Sequence, residues 1–325
     1  MGTALFTRSD IQAASDVEAI IDAVRGAFIS YGTTESTMPP KSYIDLPQYN
    51  GDFRSMPAYV DTGEWDAAGV KWVNAHPDNP QHFDLPAVMG VMVYSDPETA
   101  RPLAILDGTE LTRLRTAAAA AVASDVLARD DASSLGIIGA GAQSYAQVSA
   151  IATVRPISEL VVHDTDPDAV DRFIDTFADE YRPRSGTVAE AGHCDILSTM
   201  TPVSSPIIQR KDVGAGTHIN AMGADAAGKQ ELESSILHDA TVVIDDYAQC
   251  THSGEINVPW AAGSLTDADL HGTLAAVLHG EASGRTSVNE VTVFDSTGLA
   301  IQDVAAARVI YENGRDDVAT IDLGE

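Results

Sequence analysis

The sequence predicts an α/β fold: a doubly wound parallel sheet plus a second, mixed α+β domain. Three observations carry that reading. From residue 135 onward, short apolar or β-branched runs alternate with helical stretches at the spacing of βαβ units. A glycine turn, Gly139-Ala140-Gly141-Ala142-Gln143-Ser144, lies between the first of these runs and a helical stretch. The N-terminal third lacks the alternation and mixes one helical stretch with separate strand-like runs.

In chain order, periodicity predicts a helix over 16–30 and strands over 42–46, 68–74 and 87–94. The stretch 76–86, rich in Pro, Asp, Asn and His, predicts an exposed connection near a site. An alanine-rich helix is expected over 113–128, directly after Thr112. Runs at 135–138, 160–163, 196–200, 217–221, 242–245 and 291–294 predict the parallel sheet, with a helix over 145–154 behind the glycine turn. A final helix over 300–311 is expected to return to the first domain. The domain boundaries expected are 1–112 with 305–325 for the mixed domain and 113–304 for the parallel-sheet domain.

Composition excludes several classes. The chain has 325 residues, 44% of them hydrophobic, enough for a large core. Cys194 and Cys250 are the only cysteines and form no CxxC, so neither a disulfide framework nor a zinc site is indicated and a reducing compartment fits. Nine histidines show no metal-ligand spacing, so no metal is expected. Ser144 lies in the glycine turn and no GxSxG occurs, so no hydrolase triad is indicated. The longest apolar run, 117–123, is too short to cross a bilayer, and no targeting segment is recognised; a cytoplasmic protein is expected.

A net charge of −29 repels nucleic acid and anionic membranes, so neither is an expected partner. The acidic excess is spread along the chain, while lysine is confined to Lys41, Lys71, Lys211 and Lys229. This composition resembles haloarchaeal proteins, and molar salt is expected to screen the self-repulsion, since the Debye length falls to ~3 Å at 1 M.

The glycine turn has the form of a dinucleotide site. Gly139 permits the tight turn, Gly141 lets backbone approach a pyrophosphate, and the helix start at Ala142 and Gln143 offers N–H groups and a favourable dipole. Ser144, in place of a third glycine, is small enough for helix and strand to pack closely. Asp164, 25 residues after Gly139, ends the next strand, where a carboxylate accepts hydrogen bonds from a ribose and repels a 2′-phosphate. A Rossmann-type domain that binds NAD rather than NADP is therefore expected. The competing reading is that Asp164 serves only the Asp166-Pro167 turn.

Several segments together resemble the ornithine cyclodeaminase and mu-crystallin family over nearly the whole chain. They are Arg54-Ser55-Met56-Pro57-Ala58, Gly69-Val70-Lys71-Trp72-Val73-Asn74, Leu114-Arg115-Thr116-Ala117-Ala118, the Gly139 turn, Asn220-Ala221-Met222-Gly223-Ala224-Asp225, and the run from Phe294 through Asp295-Ser296-Thr297-Gly298 to Asp303. Gly228-Lys229-Gln230-Glu231-Leu232 and Gly254-Glu255-Ile256-Asn257 are most similar to its archaeal alanine dehydrogenase branch.

The resemblance implies roles for individual residues. Arg54 and Arg115 match positions that bind a substrate carboxylate, a task suited to guanidinium forks. Lys71 matches the family's active-site lysine; in an apolar strand its ammonium is costly unless it serves a site, and the alternative is a snorkelling surface lysine. Asp225 matches the acidic residue beside the substrate amine, where a base must take the ammonium proton before hydride leaves Cα; the alternative is a turn before Gly228. Thr116, expected at a helix start, resembles a position near the cofactor phosphates, although Thr there also serves as a simple cap. Thr201 and Pro202 are implied to lie along the cofactor, and Ser296, Thr297 and Gly298 on its nicotinamide side. Asp303 is left without an assigned role.

The function implied is reversible NAD-dependent oxidative deamination of a small amino acid to its 2-oxo acid by a homodimer, with the substrate held between the two domains. Ornithine cyclodeamination to proline, reduction of a cyclic imine, and non-catalytic ligand binding remain as alternatives.

Overall fold

The computed structural model describes residues 2–33 and 35–323. It divides into two compact units, 1–115 with 299–325 and 116–298. The breaks thus fall at 115/116 and 298/299, where 112/113 and 304/305 were expected. The reason is a helix, 300–314, that packs in its entirety within the first unit.

The first unit comprises β1 (Thr3–Phe6), α1 (Arg8–Ala14), α2 (Val17–Gly32), β2 (Ser42–Leu46), β3 (Gly51–Asp61), β4 (Asp66–Ala75), α3 (Asn79–His82), β5 (Val88–Ser95), β6 (Pro102–Asp107) and the start of α4 (Gly108–Leu127). The second comprises β7 (Ser134–Ile138), α5 (Ala142–Val154), β8 (Glu159–His163), α6 (Pro167–Phe177), β9 (Arg182–Ser185), α7 (Val188–Gly192), β10 (Ile196–Thr199), β11 (His218–Ala221), α8 (Ser234–Asp239), β12 (Thr241–Ile244), α9 (Tyr247–Ser253), α10 (Asn257–Ala261), β13 (Leu270–Thr273), α11 (Leu274–His279) and β14 (Thr292–Asp295). The chain then re-enters the first unit as α12 (Ala300–Gly314) and β15 (Thr320–Ile321).

In the first unit the sheet order is β15-β1-β6-β5-β4-β3-β2, antiparallel except for the β1–β6 pair. Pairing fixes which residues share a face. Met56, Lys71, Met92 and Leu106 face one another across four strands, and all four are buried. Helix α2, capped by the Asp16 carboxylate, buries Ile20, Val24 and Phe28. Helix α12 packs on α2, β3 and β4 and buries Ile301, Val304 and Ile310.

The second unit is an eight-stranded parallel sheet of order β13-β12-β14-β11-β10-β7-β8-β9. β8 and β9 continue outward on one side of β7, and β11 follows β10 on the other, so the order reverses between β7 and β10, the place where open α/β sheets bind ligands. Each sheet face carries its own core, one with Leu135, Ile137, Leu160 and Val162, the other with Ile138, Val161, Leu197 and Ile219. Two covered faces explain the continuous apolar runs in the sequence, and all six expected strands of this unit lie within one residue of the observed ones.

Three local expectations are corrected. The alanine-rich helix begins at Gly108 because the Asp107 carboxylate accepts the Glu110 N–H at 2.7 Å; the Thr112 hydroxyl instead bonds back to the Gly108 carbonyl within the helix. Thr116 therefore lies mid-helix, not at a helix start, and caps nothing there. The stretch 76–86 is not wholly open, since it contains α3, whose Asn79 is buried and bonds the Pro86 carbonyl, while Phe83 and Leu85 are exposed.

Candidate active site

In the first unit, Lys71 points to the buried face of β4, where its ammonium meets no water: the side chain is 1% exposed. Its Nζ donates to Asp303 Oδ1 at 2.7 Å and to the Thr112 hydroxyl at 3.0 Å. Arg115, on α4, donates from Nε to the same Asp303 oxygen at 3.1 Å and from Nη1 to Gln302 Oε1 at 3.0 Å. Two buried cations thus share one carboxylate. Burial pushes the Lys71 ammonium down to about 7, Arg115 pushes the same way, and Asp303 opposes both. Asp303 Oδ2 and Gln302 Nε2 are buried without a partner among the described residues. Buried polar atoms left open in this way call for a partner that the protein itself does not supply.

Arg54, two residues before Met56 on β3, lies on the same sheet face as Lys71. Its fork is engaged by Asp52, Nε to Oδ1 at 2.8 Å and Nη2 to Oδ2 at 2.9 Å, and its guanidinium stands 5.6 Å from the Tyr43 ring centre. The structure therefore groups Lys71 and Arg115 directly. Arg54 stands on the same face with a carboxylate already on its fork.

In the second unit Gly139–Ser144, Asp164, Thr201, Pro202, Asp225 and Ser296–Gly298 follow β7, β8, β10, β11 and β14, which are neighbours in the sheet, so their C-terminal ends share one edge. Gly139 takes φ +98°, and a Cβ there would meet the Met200 carbonyl at 3.2 Å, so glycine is required. A Cβ at Gly141 would meet nothing within 4 Å, and Gly141 caps α5 without a side-chain acceptor. The backbone before Ala142 and Gln143 thus has room beside it, as a pyrophosphate requires, and Gln143 Oε1 is buried without a partner among the described residues. Ser144 is fully buried and its hydroxyl bonds the Gly141 carbonyl at 2.7 Å, closing the turn.

Asp164 does part of what the competing reading required: Oδ1 accepts the Asp166 N–H at 2.9 Å. Oδ2 accepts the Ala140 N–H at 2.7 Å. Each oxygen retains lone-pair capacity for a ribose hydroxyl. Asp225 pairs with Lys229 at 2.6 Å, both side chains partly exposed.

The loops at this edge hang on buried acids that the sequence reading left without roles. Glu231 accepts the Thr199 hydroxyl, both the N–H and hydroxyl of Thr201, and the Gly223 N–H, at 2.6–3.0 Å. Exposed Pro202 follows directly. Asp245 Oδ2 accepts the Ser296 hydroxyl and the N–H groups of Thr297 and Gly298 at 2.8–3.1 Å. Glu255 accepts the N–H groups of Glu231 and Leu232, and Asp295 those of Glu255 and Ile256. Burial pushes Asp295 up to about 7 and Glu255 well above the carboxylate range, with neighbouring acids adding to both. Glu231 and Glu255 lie in motifs already singled out, the one available signal for them. Thr116 is buried in α4. Among the described residues no cluster of metal-ligating side chains occurs, and no helix is long and apolar enough to cross a membrane.

Residues 1–317 match the family model described as the ornithine cyclodeaminase/mu-crystallin family. The chain is 43% identical over 314 residues to an alanine dehydrogenase of Archaeoglobus fulgidus, covering 96% of this chain and 95% of that protein. A solved archaeal structure described as an alanine dehydrogenase dimer with bound NAD superposes with a TM-score of 0.94 at 41% identity, covering both chains completely. The Thermococcus litoralis Δ1-pyrroline-2-carboxylate reductase in complex with NADH and L-proline superposes with a TM-score of 0.93 at 30% identity, covering 99% of this chain and 100% of that one. With the motifs, the topology and these similarities in agreement, the chain belongs to the ornithine cyclodeaminase/mu-crystallin family.

Proposed function

We propose that this chain is an NAD-dependent oxidoreductase that interconverts a small amino acid of the alanine type with its 2-oxo acid and ammonia. The observation that carries this reading is the buried pair Lys71 and Arg115 sharing one carboxylate, a surplus positive charge that a substrate carboxylate balances. Arg115 Nη2 and the third Lys71 proton take no partner among the described residues and are the donors for that anion.

The glycine turn fits NAD: the Gly141 backbone is open, and Asp164 directly follows the adjacent strand with acceptor capacity to spare. When bound, the nicotinamide supplies the hydride acceptor. Thr201, Pro202, Ser296, Thr297 and Gly298 line its path in this reading. Asp225 takes the ammonium proton of the substrate, freeing the nitrogen lone pair that hydride departure from Cα requires. A homodimer belongs to the same reading. Its surface is the sheet face opposite Lys71, where Ile44, Trp72 and Val91 are exposed.

Absorbance at the nicotinamide band in molar KCl tests the reaction. NADH accumulates with L-alanine, and is consumed with 2-oxo acid and ammonia. Reduction of a cyclic imine is the second reading, supported by the similarity to the pyrroline-carboxylate reductase. Its sign is NADH consumption with Δ1-pyrroline-2-carboxylate alone. Ornithine turned to proline and ammonia without net NADH indicates cyclodeamination. Protein that binds NADH yet turns over none of these refutes the enzyme reading.

A further inference from the structure

Asp303 lies 232 residues from Lys71 in sequence and 188 from Arg115, yet it meets both through one atom. We propose that Asp303 is the positioning residue of the substrate site, its Oδ1 holding Lys71 and Arg115 so that their remaining N–H groups serve the substrate carboxylate. The inference rests on the functional reading above for the identity of that anion, and on geometry for the hold itself.

The arrangement is built rather than incidental. Helix α12 packs against β3 and β4, which brings Asp303 under Lys71, and all three side chains are nearly inaccessible, at 1% for Lys71 and Asp303 and 8% for Arg115. Gln302, the preceding residue, gives Arg115 a second anchor, so the guanidinium plane is held at two points.

A buried ion group placed only for stability gains little, because desolvation offsets attraction unless every polar atom is satisfied. Here Asp303 spends one oxygen on two cations and leaves Oδ2 unpartnered, with Gln302 Nε2 likewise open. The cluster also carries an unbalanced positive charge. The groups acting on Lys71 are Asp303, which favours its charge, Arg115 and Lys41, which oppose it, and the Thr112 hydroxyl, which accepts one hydrogen bond from it. Asp303 is the only anion among them, so it both places the ammonium and favours its charged form.

The chain has four lysines, so lysine labelled with 13C at Cε yields four signals, and Lys71→Arg assigns one by its disappearance. In the parent protein that signal titrates near pH 7. Removing a facing negative charge disfavours the ammonium, so Asp303→Asn lowers the midpoint by about one pH unit or more. The same variant raises KM for the amino acid about a hundredfold, the effect of misplacing an anchor, and leaves the dissociation constant for NADH unchanged. Asp303→Glu keeps the charge but displaces it; its midpoint stays with the parent while kcat/KM falls, and it carries the test if the amide variant does not fold. An unmoved midpoint in Asp303→Asn overturns the proposal, as does parental kcat/KM in Asp303→Glu. The titration needs no turnover. A shifted midpoint in a protein that oxidises no amino acid therefore supports the hold on Lys71 while refuting the catalytic reading.

Discussion

The carboxylate of Asp164 accepts the N–H of Ala140 at 2.7 Å, so the residue directly after β8 braces the glycine turn that follows β7. One side chain thus shapes the turn and presents negative charge where an adenosine ribose is expected. Replacing Asp164 with Ser removes charge-assisted hydrogen bonds worth roughly 1.5–3 kcal/mol, so KM for NAD should rise about tenfold to a hundredfold. Repulsion of a 2′-phosphate also disappears, so the ratio of kcat/KM for NADP to that for NAD should rise. An unchanged ratio in steady-state kinetics contradicts the assignment.

Burial pushes the Lys71 ammonium down to about 7, so its charge changes around neutral pH. A carboxylate ligand binds the ammonium form. Its affinity should be level below pH 7 and fall about tenfold per unit above, as the charged fraction does. Calorimetric binding of the 2-oxo acid across pH 6–9 measures this. Lys71→Met should flatten the profile and lower kcat/KM about a hundredfold, the value of one charge-assisted bond. A flat profile in the parent protein rules out the clamp.

These two residues also mark what sequence alone discloses. The place of Asp164 at a strand end was legible because it follows a glycine turn at a set distance within a continuous apolar pattern, the signature of strands buried on both faces. Lys71 stood out as an ammonium in an apolar run. Asp303 did not yield a role, because its partners lie 232 and 188 residues away and nothing local announces them. Glu231, Asp245, Glu255 and Asp295 were equally opaque: in a chain of net charge −29, a buried acid looks like one more surface acid. The start of α4 was missed because its cap, Asp107, closes a strand in the same step.

Asp295 gives stability a definite pH dependence. Its carboxyl is pushed from 3.8 up to about 7, first by burial and then by Asp245, so the folded state holds a proton that the unfolded chain releases near pH 4. Between pH 5 and 7 the folded state therefore binds one more proton, and stability falls as pH rises, by about 1.4 kcal/mol per unit. Glu255 and Glu231 shift in the same direction. Below that window Asp195 and Glu290, whose carboxyls are held low, act in the opposite sense. Denaturant unfolding at pH 5, 6 and 7 measures the slope. Asp295→Asn mimics the protonated form and should reduce it; an equal slope in the variant refutes the attribution.

Salt should act on the whole molecule. With a net charge of −29, repulsion between surface carboxylates opposes the folded state, and raising ionic strength from 0.1 to 1 M shortens the Debye length from about 10 Å to about 3 Å. The melting temperature should therefore climb steadily with KCl, and circular dichroism should report lost structure after dialysis into dilute buffer. Full structure there argues against a high-salt adaptation.

The cross-strand register decides where a partner chain would sit. Alternation sends Lys71 and Val73 to the covered face of β4 and Trp72 to the other, where Trp72 pairs across the strands with Ser55 and Val91 and stacks on Phe53 at 5.3 Å. Trp72 and Val91 each remain 44% exposed and Ile44 53%, so this sheet face presents an apolar surface to solvent. Such a surface is costly to leave bare, and a tryptophan at its centre is the kind of residue that dominates association energy. Trp72→Glu places a charge there without touching the buried row of Met56, Lys71 and Met92. Light scattering should then show a dimer for the parent and a monomer for the variant, with the lysine signal of Lys71 unchanged. A variant that remains dimeric moves the interface to another face.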